Sequence, residues 1–225
     1  MQHILAALLF IVTGLTAAGA AQFGPAQYAI TADDGQAITN FDLSPELVQR
    51  MQALAGLVPV GHPQGDVTLY QFYDLNCPFC RKASRDVAAL VKADPRLTLV
   101  FVPYAVLSVD SVRGGMVEIA ASRLLPRDKV LEFHSRIYAG RGVVDGARVL
   151  EAAVAMGLDR EKVLAAAQTA ATLDVLKSHA DFGSAAKLVA TPAYVVGGVA
   201  IVGHPGLKPL QKIVAAMRAC GKVVC

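Results

Sequence analysis

Val67-Thr68-Leu69-Tyr70-Gln71-Phe72-Tyr73-Asp74-Leu75-Asn76-Cys77-Pro78-Phe79-Cys80-Arg81-Lys82 decides the fold. The branched and aromatic residues from Val67 to Tyr73 predict a strand, and Arg81 to Lys92 is helical in composition. The two cysteines therefore stand at a strand-to-helix junction. A thiol attacks as thiolate, and the unpaired NH groups and positive dipole end of a helix start lower its pKa. Cys77 is expected at that start. Two intervening residues bring the second sulfur within one helical turn, so Cys80 can attack a mixed disulfide and close an internal one. Pro78 suits the first turn, where its missing NH is not needed. The spacing also admits an inert disulfide or half of a zinc site, although a two-residue gap at a helix start is a poor structural staple.

Downstream, the apolar run Leu97 to Val102 completes a β-α-β unit. From about Ser108 to Leu188 the chain is helical, with Asp110 or Ser111 capping one segment, Pro126 opening another that ends at Gly140, and Asp145 and Asp159 capping two more. Ala193 to Val196 and Val199 to Val202, joined by Gly197-Gly198, predict a hairpin, and a helix is expected from about Leu207 to Ala219. Upstream, Ser44-Pro45-Glu46 starts a short helix with Leu47, Met51 and Leu54 on one face, ending at Gly56. Val58 to Asp66 is expected as a loop, and Gln22 to Asn40 as a mobile arm or irregular lead-in that contributes little to the fold. This order fits an α/β chain with a thioredoxin fold interrupted by a helical subdomain. The pattern alone leaves several α+β folds open, and the placement of the cysteine pair narrows them.

The stretch Gly65 to Cys80, together with Ala190-Thr191-Pro192-Ala193-Tyr194, resembles the DsbA-like periplasmic thiol:disulfide oxidoreductases. The resemblance covers about Gly61 to Ala216. It implies a thioredoxin fold with a helical insertion, Cys77 and Cys80 as the catalytic pair, and a cis proline at Pro192 facing them. Thr191 and Pro192 would then present backbone to an extended substrate segment beside Cys77. Two departures stand out. Many relatives carry a buried Glu six residues before the first cysteine, where this chain has Gln71, which cannot titrate. The proton of the second thiol must then pass to water, to Asp74 or to another base. Phe79 stands where the strongly oxidising archetype has His, so a cation that would favour the Cys77 thiolate is missing.

The opening segment, residues 1–20, is expected to be an export signal: an apolar stretch from Ile4 to Leu15 precedes the small residues Ala18-Gly19-Ala20, with no Lys or Arg in front. Residues 21–60 would form the arm and short helix, and residues 61–225 the thioredoxin-like domain with its insertion at about 108–188. No later run is long enough to anchor the chain in a membrane, which makes a periplasmic protein the expected product. Lys and Arg number 21 against 18 Asp and Glu, spread without a basic run, which argues against a nucleic-acid partner.

Four cysteines in two close pairs suit an oxidising compartment. Cys220 and Cys225 are expected to form a structural disulfide; a second redox pair or a link to another chain are the alternatives. His134 is expected to pack in the core or lie on the surface, and His62 and His204 to be turn residues. A four-thiolate zinc site, or Cu(I) on the Cys77/Cys80 pair, is the competing metal-binding class; the expected chain binds no metal and needs no cofactor. The function expected is dithiol-disulfide exchange on exported proteins, first as an oxidase, next as an isomerase or reductase. Either direction requires a membrane redox partner that the sequence does not identify.

Overall fold

A computed structural model describes residues 27–225, so the expected export signal lies outside the described residues. Among them, six strands form one sheet in the order β1-β6-β5-β3-β4-β2: β1 (Thr39–Asp42), β2 (Val58–Gly61), β3 (Val67–Tyr73), β4 (Leu97–Pro103), β5 (Ala193–Val196) and β6 (Val199–Val202). Strands β3 and β4 run parallel across the helix α2 (Pro78–Ala93), and every other pairing is antiparallel. The hairpin turn uses Gly197 and Gly198, whose φ values of 56° and 81° suit the two central residues of a tight turn with the twist of its strands.

Alternation along β3 divides the core. Leu69 and Tyr73 pack with Cys80, Val87 and Leu90 of α2 and with Leu210 and Ile213 of α8 (Leu207–Cys220). Phe72 points the other way. It stacks on Phe182 at 5.4 Å, beneath α1 (Pro45–Gln52) and α7 (Ala170–Ala185). Burying a side chain of this size contributes about 1.5–3 kcal/mol. Between β4 and β5 the insertion consists of α3 (Val109–Leu124), a short 3-10 turn running into α4 (Val130–Ile137), α5 (Gly146–Ala155), α6 (Arg160–Ala167) and α7. Asp145 and Asp159 cap α5 and α6 as expected, accepting from Arg148 N and Lys162 N at 2.9 Å each. Helix α3 is capped by Ser108 instead of Asp110 or Ser111. None of the described helices is long and apolar enough to cross a membrane.

Two expectations about the N-terminal region fail. The supposed lead-in ends in β1, which pairs with β6, and Asn40 is fully buried there. The Asn40 amide accepts from Tyr28 N and donates to the carbonyls of Tyr28 and Ile38, so one polar side chain organises the segment that its polarity had suggested was loose. The supposed loop contains β2, an edge strand on β4 in which Pro59 is tolerated because an edge leaves one side of the backbone unpaired. Residues 39–42 and 58–61 are thus strands of the same sheet as β3, the strand that leads into the cysteine pair.

Candidate active site

Cys77 is the N-cap of α2, with Pro78 at the first helical position and no side chain capping the free NH groups. Their dipole end is therefore left to act on the sulfur. The exposed residue at this helix start is Phe79, at 66 %; Cys77 and Cys80 are only 5 % and 1 % exposed. Both thiols are free.

The chain arrives at this point through a turn held from both sides. The Asp74 carboxylate accepts from Asn76 N and Ser111 Oγ on one oxygen, at 2.8 and 2.7 Å, and from Val106 N and Leu107 N on the other, at 2.9 and 3.0 Å. Four donors engage it, so it works as a clamp between the turn and the β4–α3 loop, against the suggestion that it could serve as a free base. Asn76 ties the same turn to the insertion: its amide donates to Val144 O at 3.0 Å and accepts from Val144 N at 2.8 Å. Arg81, just past the second cysteine, donates to the carbonyls of Tyr138, Gly140 and Gly142. Sequence reasoning missed Asn76, Ser111 and Arg81. The Asp-x-Asn spacing of an Asx turn was the available signal.

From the far end of the chain, the Thr191–Pro192 peptide bond is cis, and the Cys77 thiol donates to Thr191 O at 3.1 Å. Both residues are thus beside Cys77 despite the sequence distance. Gln71 lies in register with Phe101 on β4 and Tyr194 on β5, fully buried, with neither amide atom partnered. His204, expected as a simple turn residue, instead bridges Tyr194 Oη and Asp86 Oδ2 at 2.8 Å each. His62 does sit in a turn, accepting from Gln64 N.

The two thiols are driven apart electrostatically. A hydrogen bond from Cys80 lowers the Cys77 pKa to about 6 against the opposing effect of burial, helped by the Thr191 side chain and the NH groups of Cys80 and Phe79. Burial pushes Cys80 far up, reinforced by the hydrogen bond to Cys77 and the charge there. One sulfur is therefore primed as thiolate near neutral pH, and the other holds its proton until the first is engaged. Cys220 and Cys225 are bonded to each other, which removes two ligands from a four-thiolate metal site. No group of three or more metal-ligating side chains occurs among the described residues.

Residues 54–216 match the family described as Thioredoxin. No curated protein matches the sequence. Among solved structures, the chain is similar to a thioredoxin-like oxidoreductase from Silicibacter pomeroyi DSS-3, at 28 % identity and a TM-score of 0.67 over 76 % of this chain and 96 % of that one. It also resembles the thiol-disulfide exchange protein alpha-DsbA2 from Wolbachia pipientis, at 18 % identity and a TM-score of 0.69 over 76 % and 94 % of the two chains. The catalytic domain of Proteus mirabilis ScsC gives 19 % and 0.67 over 77 % and 97 %. With its cysteine pair at the start of α2 and its five-helix insertion, the chain belongs to the thioredoxin family and shares the fold of the family's DsbA-like members.

Proposed function

We propose that the protein is a thiol:disulfide oxidoreductase of exported polypeptides, working first as an oxidase, with Cys77 as the exchanging thiol and Cys80 as the resolving thiol. The observation that carries this is the divergence of two thiols one helical turn apart, Cys77 lowered to about 6 and Cys80 raised. In oxidation, a substrate thiolate attacks Cys77 Sγ of the Cys77–Cys80 disulfide. The S–S bond breaks, Cys80 leaves and is protonated, and a mixed disulfide forms. A second substrate thiolate then attacks the substrate sulfur of that bond and releases Cys77 as a thiolate, which its surroundings stabilise. The electron pair left on the enzyme passes to a membrane redox partner.

Thr191 and Pro192 are assigned to hold an extended substrate strand beside Cys77, with Thr191 O as acceptor for its backbone. Phe79, Val106, Leu107, Val109 and Val189 are exposed apolar side chains, suited to unfolded chains whose own apolar residues are not yet buried. Pro78, Phe79 and Gln71 tune the pair, and export through the N-terminal segment places it in the periplasm.

Cys77→Ser is expected to abolish oxidation of a reduced, unfolded test protein, whereas Cys80→Ser should accumulate mixed disulfides visible on non-reducing gels. Full activity of Cys77→Ser would remove the assignment. Trapping the cysteines with an alkylating reagent in living cells distinguishes the direction: an oxidase is held as the disulfide, an isomerase or reductase as the dithiol.

A further inference from the structure

A cavity of about 760 Å³ lies between α2 and the end of α4. Arg81, Ser84, Arg85, Ala88, Ala89 and Lys92 form one wall, at the three- and four-residue spacing of a single helix face. The stretch from Ser135 to Arg141 forms the other. Four cations line this space, Arg81, Arg85, Lys92 and Arg141, and no carboxylate does. The one acid on α2, Asp86, is taken up by His204. Among the described residues none of the four cations forms an ion pair, and Arg85, Lys92 and Arg141 are exposed.

Arg81 is held in place without being neutralised. Its guanidinium donates to the carbonyls of Tyr138, Gly140 and Gly142 and lies over the Tyr138 ring, 5.5 Å from its centre. Arg148 grips the same loop in the same way, donating to the carbonyls of Ile137 and Arg141 at 3.1 and 2.7 Å, and it too has no ion pair. The loop is thus fastened by two fixed positive charges where carboxylates would have cancelled them. A cleft walled by one sign of charge concentrates the opposite sign.

The shape selects a chain over a small ion. From Arg81 to Lys92 the cationic row covers about 16 Å of helix, the length of about five extended residues. Between its cations this wall carries only Ser and Ala, which leaves width for a second backbone. Arg81 stands one helical turn past Cys77, about 6 Å along the axis, so the row begins beside the exchanging thiol. We propose that this cavity docks an extended acidic segment of a polypeptide that exchanges disulfides with Cys77, its carboxylates pairing with Arg85, Arg141 and Lys92. That the docked chain is an exchange partner rests on the function proposed above; the binding of an acidic chain does not. None of the exposed apolar side chains from Phe79 to Val189 assigned to unfolded substrates lines this cavity, so it selects by charge where they select by apolar contact.

The disulfide form of the protein, labelled with nitrogen-15 and titrated with capped penta-glutamate at low salt, tests the site without any exchange. Amide shifts are expected from Arg81 to Lys92 and from Ser135 to Gly142, with none from penta-glutamine. Arg85→Gln combined with Arg141→Gln should weaken binding about tenfold. Lys82→Gln, exposed on α2 but outside the cavity, should stay within about twofold, which separates the site from overall charge. Shifts elsewhere, equal weakening by Lys82→Gln, or no saturation by about 10 mM peptide would overturn the proposal. Sedimentation with phosphatidylglycerol vesicles that the two arginine substitutions abolish, with no shifts from the peptide, would overturn it in favour of a lipid surface. With one cysteine placed ahead of the five glutamates, the peptide should form its mixed disulfide with wild type about tenfold faster than with the double variant, a ratio that cancels the effect of the glutamates on their own thiol. Equal rates would overturn the link to exchange, and a wild-type protein that forms no mixed disulfide with a neutral cysteine peptide would overturn the exchange reading itself.

Discussion

At the scale of single residues, the chemistry turns on what faces Cys77. The Thr191 side chain is one of the groups that hold its pKa down, after the hydrogen bond from Cys80. Thr191→Val removes the hydroxyl at nearly constant shape, so the Cys77 pKa should rise above about 6, measured by ultraviolet absorbance of the thiolate. An unmoved titration would take Thr191 out of the electrostatics. Phe79 contributes an NH group but no cation. Phe79→His should therefore stabilise the dithiol form and make the disulfide more oxidising by about 30 mV, a tenfold change against a glutathione buffer. A potential that is unchanged or lower would show that this dipeptide does not tune the pair. Cys77, Pro78, Phe79 and Cys80 could be read from spacing because a helix start is a local event. The nearness of Thr191 and Pro192 could not. Only the family resemblance brought them together, since a contact across more than a hundred residues leaves no periodic trace.

Among the elements, the turn from Asp74 to Cys77 joins strand, active-site helix and insertion. Asp74 collects four donors, two of them backbone NH groups of the β4–α3 loop. Asp74→Ala removes the acceptor of those NH groups and of Asn76 N and Ser111 Oγ, and the expected loss is about 3 kcal/mol in urea unfolding, with the exchange rate falling as the turn loosens. A loss below about 0.5 kcal/mol would mean that the clamp is not formed in solution. The elements that sequence made legible are those with strong local signals: the branched run of β3, the Gly-Gly hairpin, and the Asp caps of α5 and α6. Strands β1 and β2 were hidden because, unlike the equally short β5 and β6, neither is a continuous apolar run beside a Gly-Gly turn. Their pairing depends on distant partners, and Asn40 and Pro59 look like loop residues until Asn40 is seen bonding the backbone and Pro59 is seen on an edge. His204 was underread for the same reason, since neither Asp86 nor Tyr194 adjoins it in sequence.

For the molecule as a whole, the redox site and the fold are linked through protons. Folding moves the Cys77 pKa down from its ordinary 9.0 to about 6 in the dithiol form. A group depressed on folding adds stability that is fully present above its unfolded value and lost as pH falls through its folded value. The dithiol protein should therefore gain stability relative to the disulfide form as pH rises from about 6 to 9, whereas Cys80, shifted upward, opposes it only above that window. Denaturant unfolding of both forms across this range checks the sign, and a difference that is flat or falling would contradict it. The overall architecture was legible from the order of elements plus one motif, since strand-helix-strand, helical block and hairpin leave few ways to build a single sheet. The depth at which both thiols lie was not, because burial is set by the insertion packing over the turn. The claim on which everything else depends is that these neighbouring thiols differ in kind. Reduced protein treated with limiting alkylating reagent across the pH range, digested and read by mass spectrometry, measures each thiol separately. Cys77 should react first, with a rate rising around pH 6, while Cys80 stays unlabelled through neutrality. Labelling of Cys80 first, or a Cys77 midpoint near the ordinary thiol value of 9.0, would contradict the account.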